Sequence, residues 1–141
     1  MFYGEFDYKL DDKGRVPIPP KFRGALKDNI VLTPGIEKCI TVYTESEWKK
    51  LSASLTSNPL VRSKMRKLSR ALFATAFSTR VDAQGRIAIP APLREHAQIT
   101  DDVIVAGANT YFEIWDKALW EEEKASSQEQ AWQIIESLEN S

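Results

Sequence analysis

The feature that most constrains this chain is a decapeptide that occurs twice. Leu10-Asp11-Asp12-Lys13-Gly14-Arg15-Val16-Pro17-Ile18-Pro19 returns, altered, as Val81-Asp82-Ala83-Gln84-Gly85-Arg86-Ile87-Ala88-Ile89-Pro90. Both copies read apolar residue, Asp, two variable residues, Gly, Arg, branched apolar residue, spacer, Ile, Pro. The copies lie 71 positions apart in a chain of 141 residues. The match extends outward. At that offset of 71, Phe2 meets Phe73, Phe6 meets Phe77 and Arg23 meets Arg94. After one insertion, Val31 meets Val103, Gly35 meets Gly107, Tyr43 meets Trp115 and Trp48 meets Trp120. Ordered matches with a single slip mark an internal repeat.

Each unit reads strand, turn, strand, short helix, strand, strand, helix. Phe2, Gly4, Phe6, Tyr8 and Leu10 share one parity, the period of a half-buried strand. Phe73, Thr75, Phe77, Thr79 and Val81 repeat that alternation. Asp bonds forward to turn amides and Gly accepts positive φ, so residues 11–14 and 82–85 are turns. Pro20 and Pro92 open short helices ending near Leu26 and Ala97. Ile30–Leu32, Cys39–Tyr43, Val103–Val105 and Tyr111–Trp115 are short strands. Thr44 and Glu47 fit a capping box for a helix from Glu45 to Leu55. Asn58 and Pro59 open a basic helix to Leu72, with Met65, Leu68 and Leu72 as its apolar stripe and Arg62, Lys64, Arg66, Lys67 and Arg70 outside. Asp116 caps a final helix to Leu138, with Trp120, Trp132, Ile135 and Leu138 as apolar positions and an acidic exposed face.

One unit alone has a marginal core. Two can complete each other by exchanging hairpins into a joint barrel. The expected fold is therefore α+β, with two β-rich repeats intertwined about a pseudo-twofold and helices at the periphery. The expected organisation is a first repeat at 1–57, a connecting basic helix at 58–72, and a second repeat at 73–141 with its acidic C-terminal helix.

Charge is unevenly spread. Residues 1–70 carry 14 Lys/Arg against 8 Asp/Glu, and residues 71–141 carry 5 against 12. Such polarity favours head-to-tail contact between subunits, or an anionic partner for the basic half. No apolar run reaches the roughly 20 residues of a membrane span, and the N-terminus lacks a signal-peptide pattern. A single Cys39, in an apolar strand pattern, reads as a small core residue. A cytoplasmic protein without a metal cage is expected.

Catalytic patterns are missing. There is no phosphate loop and no Ser-His-Asp or Cys-His spacing. The single His96 aligns with Ala25 in the first repeat, so it serves no activity shared by the two units. Arg15 and Arg86 are different. Each opens a strand directly after a Gly turn, where a guanidinium can hold phosphate bidentately or pair with guanine O6 and N7. Asp11 and Asp82, four residues earlier, can brace the Arg or cap the turn amides. The competing reading is that Asp and Arg merely close a hairpin with a surface ion pair worth about 0–1 kcal/mol.

The chain resembles the bacterial MraZ family, within the wider AbrB-like swapped-hairpin group. The resemblance rests on Met1-Phe2-Tyr3-Gly4-Glu5-Phe6, Leu10 to Arg15, Ile18-Pro19, Arg70-Ala71-Leu72-Phe73-Ala74, Val81 to Ile87, Ile89-Pro90 and Phe112-Glu113-Ile114-Trp115. It covers nearly the whole chain. It implies a non-enzymatic DNA-binding transcriptional regulator acting as a repressor of the division and cell-wall gene cluster. The implied partners are double-stranded promoter DNA with direct repeats, and further copies of the chain in a ring. No cofactor, small-molecule substrate or membrane is implied, and the expected location is the nucleoid. The implied DNA-binding residues are Asp11, Lys13, Gly14 and Arg15 in the first turn, and Asp82, Gln84, Gly85 and Arg86 in the second. A structural assembly module without DNA contact is the alternative.

Overall fold

The computed structural model describes residues 1–59 and 63–140. The first repeat comprises β1 (Glu5–Lys9), β2 (Arg15–Pro17), α1 (Pro20–Arg23), β3 (Ile30–Pro34), β4 (Ile40–Thr44) and α2 (Glu45–Ser57). A short α3 (Met65–Leu68) runs directly into a π-helical turn, Ser69–Phe73. The second repeat comprises β5 (Phe77–Thr79), β6 (Arg86–Ala88), α4 (Ala91–Ala97), β7 (Asp102–Gly107), β8 (Tyr111–Asp116) and α5 (Lys117–Glu139). The α+β class is as expected.

The strands pair across the repeats. A six-stranded antiparallel sheet has the order β1-β7-β8-β4-β3-β5, and β2 pairs with β6 in a separate ribbon. Replacing every strand by its counterpart in the other repeat turns the sheet order into its own reverse. The topology is thus symmetric under exchange of the two repeats. β1 leaves its own turn to lie on β7, and β5 lies on β3. The sheet is open at both ends, with β1 and β5 at its edges and no ladder joining them among the described residues. A closed barrel is therefore not formed by these pairings.

The ribbon is short because proline punctuates it. Pro17 cannot donate to a ladder and Pro19 ends the strand. Its alternation sends Val16 and Ile87, which face each other in register, into the core beside Ile18 and Ile89. All four are buried, as are Phe2, Phe22 and Phe112. The Phe2 ring meets those of Phe22 and Phe112 edge-on at 4.9 and 5.2 Å. Burying each such side chain contributes about 1.5–3 kcal/mol. The opposite parity points Arg15 and Arg86 outward, so the core fixes the side on which the arginines emerge.

Several local expectations are corrected. Phe73 and Thr75 are not in a strand. The helical segment continues to Phe73 through the π turn, where Ala74 N–H donates to the Ser69 carbonyl at 2.8 Å. The Phe73 ring packs edge-on against Trp48 at 5.6 Å, which outweighs its alternation with Phe77. The expected basic helix is described only from residue 63, and Arg62 lies outside the described residues. The capping box is half made. Thr44 Oγ1 accepts from Glu47 N–H at 3.2 Å, but the Glu47 carboxylate turns to Lys50. Asp116 caps α5 as expected, accepting from Leu119 N–H at 3.2 Å. Trp120 packs on Trp115, whereas Trp132 and Leu138 stand exposed.

Candidate nucleic-acid interface

The two Asp-x-x-Gly-Arg turns are built alike. In the first, Asp11 Oδ1 accepts from the backbone N–H groups of Lys13 and Arg15 at 2.9 and 2.8 Å. Its Oδ2 accepts from Arg15 Nε at 2.7 Å. The Asp11 carbonyl accepts from Gly14 N–H at 3.1 Å and the Arg15 carbonyl from Asp11 N–H at 2.9 Å. In the second, Asp82 Oδ1 accepts from Gln84 and Arg86 N–H, both at 2.9 Å, and Oδ2 accepts from Arg86 Nε at 3.1 Å. One carboxylate thus caps two amides and aims a guanidinium. The choice between bracing and capping posed by the sequence is resolved: each Asp does both.

Glycine is required at the fourth position of both turns. Gly14 and Gly85 have φ of +75° and +76°, in the left-handed region. There is a second constraint. A side chain at Gly14 would strike the Arg94 guanidinium, and one at Gly85 would strike that of Arg23.

Arg23 and Arg94 are the residues that sequence reasoning left without a role. Arg23 Nε donates to the Ile18 carbonyl at 3.0 Å, and Arg94 Nη1 donates to the Ile89 carbonyl at 2.6 Å. Each therefore leans from its own short helix beneath the turn of the other repeat. Their match at the repeat offset was the available signal. Helical position alone gave no sign that they return to the turns.

The turns are joined to one another. Ile18 N–H donates to the Gly85 carbonyl and Ile89 N–H to the Gly14 carbonyl, both at 2.8 Å. Arg86 Nη1 lies 3.9 Å from Asp11 Oδ2, an ion pair across the pseudo-twofold. The result is one surface carrying Lys13, Arg15, Arg23, Arg86 and Arg94. Arg15 and Arg86 side chains are 27% and 26% exposed, held but reachable. Both Asp carboxyls are pulled below the ordinary carboxylate range. The largest cause is the backbone N–H of Arg15 or Arg86, with the guanidinium adding to it. They stay ionised and acceptor-only, so the arginines keep their orientation at neutral pH.

The turns differ at both positions between Asp and Gly, Asp12-Lys13 in the first and Ala83-Gln84 in the second. Gln84 Oε1 accepts from Arg86 Nη2 at 3.1 Å, so Arg86 is gripped at two points. Lys13 holds the equivalent place and makes no such bond. The terminal nitrogens of Arg15 have no partner among the described residues.

Other chemistry-bearing residues lie elsewhere. His96 Nε2 sits 3.1 Å from the carbonyls of both Gly35 and Glu37, tying α4 to the β3–β4 turn. Cys39 is fully buried, and burial, then nearby Glu113, push its thiol far above its usual value. It is the core residue the sequence suggested.

A symmetric pair of arginine turns on a duplicated β scaffold is the arrangement that the residue motifs pointed to, and comparison with known proteins decides the family. The model described as MraZ protein matches residues 1–71 and again 72–137. The chain belongs to the MraZ family. It is 61% identical over 140 residues to the transcriptional regulator MraZ of Dehalococcoides mccartyi, covering 99% of each chain. Its identity to the transcriptional regulator MraZ of Thermoanaerobacter pseudethanolicus is 45% over 139 residues, covering 99% of this chain and 97% of the relative. For that of Acetivibrio thermocellus it is 42%, covering 98% and 96%. These MraZ relatives carry the name of a regulator, not of an enzyme. No helix among the described residues is long and apolar enough to cross a membrane.

Proposed function

We propose that this chain is a DNA-binding transcriptional regulator that reads duplex DNA through its two Asp-x-x-Gly-Arg turns. The observation that carries the reading is the shared surface. Two arginines, each aimed by its own Asp, stand side by side and are flanked by Lys13, Arg23 and Arg94. A guanidinium offers phosphate a bidentate contact and guanine a specific one. The Asp charges are engaged by turn amides, so the surface remains attractive to an anion although the chain as a whole has a net charge of −1.

In this reading the swapped-hairpin scaffold is a device for bringing two turns together. The operator is a set of direct repeats in the promoter of the division and cell-wall gene cluster, and the effect is repression. Subunits join in a ring, so that weak contacts on successive repeats add by avidity. The DNA-bound protein is nucleoid-associated, and the first repeat (1–57) and second repeat (73–141) each supply one turn. A second reading, an assembly module without DNA contact, draws on the fact that Arg86 already has three partners within the chain.

Footprinting on the DNA upstream of its own gene, across a salt series, tests the first reading. Protection of a tandem repeat that weakens steeply as salt rises is expected. Absence of protection at low salt, by a protein of native mass, would favour the assembly module.

A further inference from the structure

The six-stranded sheet has two faces, and the core fills only one. Ile40, Val42, Phe112 and Ile114 point from the central strands β4 and β8 into that core. The alternate residues, Thr41, Tyr43, Tyr111 and Glu113, point to the opposite face. There Thr41 stands in register with Glu113, and Tyr43 with Tyr111. α2 covers part of this face, with Trp48 against the Tyr43 ring at 5.5 Å. Beside α2 the face opens into a mostly apolar cavity of about 490 Å³, the size of a small-molecule site. Leu51, Leu68 and Leu72 form its apolar wall.

The polar groups of this cavity are left without partners. The hydroxyls of Thr41, Tyr43 and Tyr111 make no hydrogen bond among the described residues, although Thr41 is only 6% exposed. Glu37 and Glu113 also line the cavity, and no Lys or Arg does. Trp115 fixes the Glu113 carboxylate, its Nε1–H donating to Oε1 at 3.1 Å. Glu37 stands on the β3–β4 turn, where His96 holds the Gly35 and Glu37 carbonyls. A carboxylate oxygen of Glu37 lies within 4.8 Å of one of Glu113, and neither residue has a cation partner among the described residues. Burial first, with the Glu37 charge adding to it, holds the Glu113 carboxyl above its usual range. A cation set between the two carboxylates would offset both effects.

A metal ion is the poorer match. Its third ligand would be Cys39 Sγ. That thiol is buried, and burial and then Glu113 push it far above its usual value, whereas zinc takes the thiolate. An ammonium needs no thiolate. Its N–H groups reach carboxylates at about 2.7–2.9 Å, so two oxygens this close can share one nitrogen. A third N–H remains for a hydroxyl.

We propose that this cavity binds a small primary amine with an apolar body. The ammonium sits between Glu37 and Glu113 and donates to a floor hydroxyl, and the body lies along Leu51, Leu68 and Leu72. The inference goes beyond the DNA-binding reading and does not rest on it, because the cavity and the arginine turns lie on opposite sides of the core.

The probe is phenethylamine, titrated into full-length protein without DNA by calorimetry and ligand-observed NMR. Phenethyl alcohol, with the same body and no charge, is the control. The amine is expected to bind and the alcohol to bind about tenfold more weakly or worse. Glu37→Gln and Glu113→Gln should each weaken the amine about tenfold, while Glu136→Gln, far along α5, should leave its affinity unchanged. Circular dichroism checks the fold of each variant. Equal binding of amine and alcohol by wild type would overturn the proposal without recourse to any variant. Unchanged amine affinity in a natively folded Glu37→Gln, Glu113→Gln protein would overturn it too. Saturation by zinc chloride with no binding of the amine would reassign the carboxylates to a metal. A change of native mass in either glutamine variant, with no amine present, would make the cavity a contact between copies and overturn it as well.

Discussion

The first and second turns have the same skeleton and different grips. In both, an Asp caps two amides and aims an arginine, and a left-handed glycine sits over the arginine of the opposite repeat. At the third turn position they part. Gln84 occupies one end of Arg86, while Lys13 leaves Arg15 open and adds a charge of its own. Backbone geometry is therefore set by Asp and Gly and was duplicated intact. The chemistry presented depends on the two residues between them, Asp12 and Lys13 with opposite charges in the first turn and the neutral Ala83 and Gln84 in the second. The first turn leaves the terminal nitrogens of its arginine open among the described residues, and the second grips its arginine at two points.

The largest expected effect is on DNA affinity. Arg15→Ala should raise the Kd about tenfold to a hundredfold, and Arg86→Ala should raise it less, because Arg86 is partly committed to Gln84 and Asp11. Equal losses in a quantitative titration would remove the distinction. Exchanging the third residues, Lys13→Gln with Gln84→Lys, should invert that order while leaving the number of cations unchanged. If Arg15 remained the more costly loss in the exchanged protein, the third residue would not be the cause.

Backbone effects should be common to both turns. Gly14→Ala and Gly85→Ala force a β-carbon into the left-handed region, at about 1–2 kcal/mol, and also displace Arg94 or Arg23. Denaturant melts should show losses of that size or larger at both sites. Acid should act on both turns together. Because the folded-state values of Asp11 and Asp82 are lowered, the turns' contribution is complete above the ordinary Asp value of about 3.9. It is lost as pH falls through the lowered folded values. Binding and stability measured along an acid titration should both decline there. The smallest effect concerns a residue outside the turns. Burial holds the Glu113 carboxyl above its usual range. Its raised value removes stability as pH climbs from the ordinary Glu range through the folded one, so Glu113→Gln should raise Tm slightly at neutral pH and not in acid.

Much of the fold was legible because it was written twice. The strand and turn order, the Asp116 cap and the outward arginines follow from period, proline and glycine. Pairing partners were harder, since alternation at residues 5–9 fixes a buried face without naming a neighbour. That β1 joins β7 was anticipated only as hairpin exchange. Phe73 misled because its spacing from Phe77 mimics a strand, while its ring is held by Trp48 on a helical turn. Of the interface, Asp11, Arg15, Asp82 and Arg86 stood out as a motif. Arg23 and Arg94 did not, because their role arises from a helix folding back under the other repeat's glycine. Trp132 looked like a core position on a helix that in fact outruns its sheet.

The central claim is that the paired arginines touch DNA. It is tested most directly by equilibrium binding of the Arg15→Ala, Arg86→Ala protein to the DNA upstream of its own gene across a salt series, with mass measured in parallel. Unchanged mass, lost specific binding and a shallower salt slope are expected, by about one for each phosphate contact removed. Wild-type affinity and slope in a protein of unchanged mass would contradict it.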